Sequence, residues 1–152
     1  MSNFLSAGTK APVISVQDQD GNDVSLADLK GKKVALFLYP QDGTPTCTTE
    51  ACNLRDNHKA LHKAGYTVIG LSPDSPRKHR NFIKKYELPF PLWSDPEHRL
   101  IEAFGAWGEK QMFGNKYMGV FRSTFIIDEK GVVEEVIEKV KAKEHAEQIV
   151  GS

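Results

Sequence analysis

Lys33-Val34-Ala35-Leu36-Phe37-Leu38-Tyr39 is an almost unbroken apolar run, and Pro40 ends it. A run this short, with no polar alternation, reads as a strand buried on both faces. The chain continues Pro40-Gln41-Asp42-Gly43-Thr44-Pro45-Thr46-Cys47-Thr48-Thr49-Glu50-Ala51-Cys52. This stretch leaves the strand and enters a helix, predicted over residues 46–64. There Ala51, Leu54, His58 and Leu61 recur on one face, and Gly65 supplies a stop. Sites in open α/β sheets form at such strand ends.

Working outward, residues 13–17 and 23–26 flank an Asp20-Gly21 turn and predict a small hairpin. Residues 66–72 form a second buried strand, and Pro76 opens a helix reaching about Tyr86. Residues 89–93 are extended, and a short helix spans 96–104 before Gly105. Residues 106–120 are rich in Gly and aromatics and show no period, so they read as an irregular loop, with Trp107–Tyr117 either folded onto the core or forming a lid or substrate wall. Residues 123–128 and 132–138 pair as a hairpin across Glu129-Lys130-Gly131, and 143–150 close the chain as a helix. Alternating strands and helices predict an α/β architecture, with a parallel sheet centre extended by antiparallel strands.

The sequence has 152 residues, with 20 Lys+Arg against 20 Asp+Glu, and is 39% hydrophobic. One domain over 1–152 is expected, large enough to fold without a disulfide framework. The even charge balance argues against nucleic acid or an anionic membrane as the main partner. No basic-then-apolar leader is visible, and no apolar run approaches the ~20 residues of a membrane span. The expected location is cytoplasmic. Thiols are kept reduced there, so a cysteine pair points to catalysis or metal binding.

Cys47 falls in the first helical turn, where unpaired N–H groups and the helix dipole favour an anion. A thiolate is the reactive form of cysteine, and such positions promote it. Thr44 either caps the helix or presents its hydroxyl beside the sulfur. Glu50 either pairs with a cation or suits the dipole. Arg122, just before the strand at 123–128, is either a surface charge or a partner holding the thiolate. Cys52 lies about 7.5 Å farther along an intact helix and roughly 140° around it. That exceeds the ~7 Å Cα separation a disulfide tolerates. Either Cys52 is a small residue that never meets Cys47, or the first turns unwind after oxidation.

Cys47, Cys52, His58 and His62 also read C-x4-C-x5-H-x3-H, but a straight helix cannot wrap four ligands tetrahedrally round one ion. His79, His98 and His145 add no cluster by spacing. Trp93 and Trp107 read as packing residues.

Tyr39-Pro40, Thr44 and Cys47 resemble the peroxiredoxin motif P-x-x-x-(T/S)-x-x-C. Thr48-Thr49-Glu50-Ala51-Cys52, Leu54-Arg55-Asp56-Asn57, Pro91-Leu92-Trp93-Ser94-Asp95, Phe104–Lys110 and Arg122–Asp128 extend the likeness to the peroxiredoxin Q branch, also called bacterioferritin comigratory protein. The resemblance covers nearly the whole chain. Thr46 stands where that pattern often has Gly, and Trp93 where it usually has Leu. Neither removes a catalytic group.

The resemblance implies a thioredoxin-like fold with an N-terminal β-hairpin extension and a mixed central sheet flanked by helices. It implies a peroxidase acting on hydrogen peroxide and organic hydroperoxides without metal or other cofactor. Cys47 would be the nucleophile and Cys52 the resolving cysteine. Thr44 and Arg122 would bind the peroxide oxygens, and Pro40 would shield the oxidised sulfur. Thioredoxin or a similar dithiol protein would be the reductant, and the chain would act as a monomer or weak homodimer. A redox sensor using the same disulfide switch is the alternative. A thioredoxin-type reductase would want C-x-x-C instead.

Overall fold

The computed structural model describes residues 3–151. Among these residues, nine strands and five α-helices follow in order: β1 (Val16–Gln17), β2 (Asp23–Val24), β3 (Lys33–Leu38), α1 (Pro45–Asp56), α2 (His58–Lys63), β4 (Tyr66–Ser72), α3 (Pro76–Tyr86), β5 (Leu92–Ser94), α4 (Arg99–Ala103), β6 (Trp107–Met112), β7 (Asn115–Val120), β8 (Ser123–Ile127), β9 (Val133–Ile137) and α5 (His145–Val150). Short 3-10 turns lie at Leu26–Leu29 and Ala142–Glu144.

Seven strands form one sheet in the order β2-β1-β5-β4-β3-β8-β9. The centre is parallel, with β3 on β4 and β4 on β5. Antiparallel β8 and β9 extend one side, and the β1–β2 hairpin extends the other. This is the expected mixed sheet with an N-terminal hairpin.

Strand β3 explains why the sheet needs cover on both faces. Val34, Leu36 and Leu38 point into a core with Phe104, Phe125 and Trp93. Ala35, Phe37 and the following Tyr39 point the other way, against Ala51, Leu54, Leu61, Phe82 and Ile149. Alternation by two residues therefore feeds two cores, and an apolar run results because both are buried. Gly70 of β4 is required by this packing: a Cβ there would lie 2.5 Å from Leu92 Cδ2 and 2.8 Å from Phe37 Cζ.

Several elements depart from the sequence expectation. The helix expected over 46–64 is two helices, broken at Asn57 (φ −110°, ψ 11°). The Asn57 side-chain amide donates to Asn53 O at 2.8 Å and competes with the helical ladder. The helix expected over 96–104 shrinks to Arg99–Ala103, where the Asp95 carboxylate accepts from Arg99 N and Ile101 N. Residues 106–120 are not irregular: β6 and β7 form a separate two-stranded hairpin. Its two-residue turn puts Phe113 at φ 51° and Gly114 at φ 80°. Positive φ at both positions suits the twist of a tight hairpin.

Candidate active site

Cys47, Glu50 and Arg122 meet where β3 and β8 approach α1. Pro45 occupies the first helical position, so Cys47 lies in the first turn, 2% exposed. Register places Leu38 opposite Ser123, so Arg122 leaves β8 beside the end of β3. Its Nη2 donates to Cys47 Sγ at 3.0 Å. Its Nη1 donates to Glu50 Oε1 at 2.5 Å. One planar guanidinium therefore bridges a sulfur and a carboxylate, a geometry that a lysine cannot reproduce.

Burial pushes the Glu50 carboxyl up to about 7, although Arg122 acts against the rise. Burial works to lower Arg122, but Glu50 and Cys47 more than offset it and the guanidinium stays protonated. Lys110, on β6, donates from Nζ to Val120 O at 2.8 Å. Burial and the Arg122 charge lower the Lys110 value, while Cys47 opposes that shift. The hairpin thus brings a second cation into the electrostatic surroundings of Cys47.

Thr44 holds the N-cap position in extended conformation, but its side chain makes no cap bond. Its hydroxyl donates to Gln41 O at 3.1 Å, so of the two readings of Thr44 the side-chain cap does not form. Its carbonyl accepts from Thr48 N at 2.8 Å. Pro40 is half-buried beside this loop. Cys52 is half-buried on the same helix, and both cysteines are free thiols. Helix α1 runs unbroken through both. His58 and His62 stack on each other with centroids 6.3 Å apart, and His58 also packs on Phe90. Trp93 is buried, and Trp107 stacks on His98 at 3.7 Å.

A second buried network fixes the loop before Cys47. Tyr39 Oη donates to Asp42 Oδ1 at 2.5 Å, and His79 Nδ1 lies 2.6 Å from Asp42 Oδ2. His79 Nε2 donates to Trp93 O at 2.9 Å. Asp42 N donates to Asp74 Oδ2 at 2.7 Å, and Lys78 pairs with Asp74 Oδ1 at 2.8 Å. Among the described residues, Asp42, Asp74 and His79 alone gather closely enough to suggest metal ligands. Their bonds to one another, to Tyr39 and to Lys78 account for them as a structural clamp.

His79 and His145, which spacing left without a role, are therefore both in buried networks. Their partners Asp42 and Thr124 lie 37 and 21 residues away. No local pattern signals such contacts. Lys110 was missed because residues 106–120 gave no period from which to place it.

A model of the AhpC/TSA family matches residues 7–136. The chain belongs to this family of peroxiredoxins. Peroxiredoxin Bcp of Bacillus subtilis is 47% identical over 141 residues, which is 93% of this chain and 90% of that protein. Peroxiredoxin Bcp of Escherichia coli K12 is 44% identical, covering 97% of this chain and 95% of that protein. The solved structure of Xanthomonas campestris peroxiredoxin Q superposes with a TM-score of 0.88 at 33% identity, over 95% of this chain and 94% of that one. A second Xanthomonas structure, a bacterioferritin comigratory protein described for its alkyl peroxide reduction activity, gives 0.88 at 32% identity, over 96% of each chain. This peroxiredoxin is accordingly a thiol peroxidase of thioredoxin-like fold, with a peroxide substrate and a thiol reductant. Among its described residues, no helix is long and apolar enough to cross a membrane.

Proposed function

We propose that this peroxiredoxin reduces hydrogen peroxide and organic hydroperoxides through Cys47, with Cys52 as the resolving thiol and thioredoxin or a similar dithiol protein as reductant. The observation that carries this reading is the Arg122 guanidinium at 3.0 Å from Cys47 Sγ, in the first turn of α1. The alkyl peroxide activity described for the Xanthomonas relative supports the inclusion of organic hydroperoxides.

The Cys47 thiolate attacks the terminal peroxide oxygen in line. A sulfur–oxygen bond forms as the O–O bond breaks, and the departing alkoxide or hydroxide takes a proton to leave as alcohol or water. Arg122 and the first-turn N–H groups of α1 face the charge that moves from sulfur to oxygen, and Thr44 joins them once its hydroxyl turns from Gln41 O to the peroxide. Pro40, just past the end of β3, is assigned the shielding of the oxidised sulfur. Cys47 is left as a sulfenic acid, which condenses with the Cys52 thiol, releasing water and forming a disulfide. A dithiol reductant restores both thiols by exchange.

Condensation cannot occur on the intact helix, because the five-residue step from Cys47 to Cys52 separates their Cα atoms by about 7.5 Å of rise. The first turns of α1 must open first. Helix termini are the least stable parts of helices, which makes such an opening accessible. Multi-turnover peroxide loss in the presence of thioredoxin and its reductase tests the reading. One stoichiometric oxidation followed by arrest would favour a redox sensor instead.

A further inference from the structure

Behind Arg122, Glu50 meets a buried histidine from the C-terminal helix. His145 and Glu50 are both fully buried. The hydrogen bonds around His145 fix which nitrogen bears a proton. Gln148 Nε2 donates to Lys139 O at 2.9 Å, which orients the amide. Gln148 Oε1 accepts from Lys141 N at 2.9 Å and lies 2.8 Å from His145 Nδ1. Nδ1 therefore carries the hydrogen and donates to Oε1. Nε2 is left facing Thr124 Oγ1 at 2.6 Å and Glu50 Oε2 at 3.5 Å.

Among the described residues, Glu50 Oε2 has no hydrogen-bond partner. An ionised oxygen in that position would be buried without a donor, which is costly. A proton on Oε2 removes that cost, and His145 Nε2, hydrogen-bonded to Thr124 Oγ1, is a second basic atom 3.5 Å away. A second proton on the pair would put a cation on His145 beside Arg122, so the two sites together hold one.

We propose that Glu50 and His145 hold a single proton between them, and that this proton decides how far Arg122 is committed to Cys47. His145 is then a positioning residue that acts through Glu50 and Arg122. With the proton present, the pair is neutral and the Arg122 charge is available to the thiolate. Without it, the Glu50 carboxylate competes for the same guanidinium through the 2.5 Å bond to Oε1. Burial raises Glu50 and lowers His145, so both groups are pushed toward their uncharged forms, which together hold one ionisable proton.

The ionisable groups around the pair are few. Helix α1 contributes Cys47, the link between β7 and β8 contributes Arg122, and Lys110 on β6 faces Arg122 and Cys47. Thr124 from β8 and Gln148 from α5 add neutral polar atoms. A thiolate at Cys47 holds the shared proton more tightly, because its loss would place a second anion on Arg122. The linkage is reciprocal. When peroxide converts the thiolate to a neutral sulfenic acid, the pair releases its proton to solvent more readily. Glu50 then competes more strongly for Arg122, which loosens the guanidinium's hold on the Cys47 sulfur. This sequence rests on Cys47 being the nucleophile.

The test is a pH titration by nuclear magnetic resonance of the full chain, following the Glu50 side-chain carboxyl carbon and the His145 ring nitrogens without peroxide. One common midpoint is expected in the reduced wild type. In Cys47→Ser, which removes the thiolate, that midpoint should fall by about one pH unit. Glu50→Gln should abolish the shared component at His145. Separate midpoints in the wild type, or a common midpoint that Cys47→Ser leaves in place, would overturn the proposal. Because no turnover is measured, these results are independent of the peroxidase assay, and the wild-type titration needs no variant to fold. In kinetics, His145→Gln should displace the bend that the shared proton gives to the pH profile of kcat/KM, whereas a merely structural residue would lower the profile without moving its bend.

Discussion

Arg122 Nη2 stands 3.0 Å from Cys47 Sγ, across 75 residues of sequence. The contact exists because β8 lies beside β3 in register, so the residue before β8 meets the helix that follows β3. Fold and chemistry are joined at this one contact, and the expected behaviour of variants follows from it.

Replacing Arg122 by Gln removes the charge facing both Cys47 and Glu50. Loss of one preorganised donor at a site of developing charge typically costs about 10²–10³ in rate. The second-order rate constant of Cys47 with peroxide, followed by stopped-flow fluorescence, should fall in that range. Arg122→Lys should recover only part of it, because a point charge cannot bridge Sγ and Oε1 together.

Glu50 gives a stability prediction with a definite sign. Burial raises its folded value to about 7, above the ordinary 4.5. Between those values the folded protein binds more protons than the unfolded one, so this group's contribution to stability falls as pH rises through the window. The contribution is on the order of 3 kcal/mol at most. Denaturant unfolding of wild type and Glu50→Gln should show the variant gaining on the wild type from about pH 4.5 to 7, and a constant difference above it.

Oxidation should melt the start of α1. Thr48 N donates to Thr44 O at 2.8 Å with both cysteines free. Amide exchange of residues 47–53 should be slow in the reduced protein and fast in the disulfide form. Asn53 sets the far limit of this opening, since its side chain donates to Lys143 O and accepts from Ala146 N, both at 2.8 Å. Asn53→Ala should therefore speed disulfide formation after a peroxide pulse, read by quenched mass spectrometry. It should also lower unfolding free energy by about 1–3 kcal/mol.

The β6–β7 turn offers a gain of stability. Phe113 is 97% exposed and holds φ 51°, where a bulky side chain is strained. Asn tolerates this region, so Phe113→Asn should raise unfolding free energy by about 0.5–1 kcal/mol in urea denaturation.

Much of this organisation was legible in the sequence. Strands β3 and β4 could be read because burial on both faces makes them continuous apolar runs, and α3 because Pro76 marks its start. Cys47 was legible because its position relative to Pro40 and Thr44 is local. The β6–β7 hairpin was not. Its strands bury little, so Gly108, Glu109, Lys110 and Lys116 carry no alternation, and its turn is Phe-Gly instead of Asn-Gly. The break at Asn57 depends on one side-chain bond that periodicity does not register. Arg122 was visible as a cation before a strand, but only strand register could say that it reaches Cys47. The clamps at His79 and His145 join residues from separate elements, so spacing within one element could not reveal them.

The central claim is that Cys47 takes the peroxide oxygen and Cys52 resolves it. Intact mass and thiol counting after one equivalent of peroxide test both parts together. The wild type should lose two thiols and two hydrogens in mass as an intramolecular disulfide forms. Cys52→Ser should instead hold one added oxygen as a trapped sulfenic acid, and Cys47→Ser should not react. Two free thiols persisting in the wild type, or a disulfide between two chains, would contradict the account.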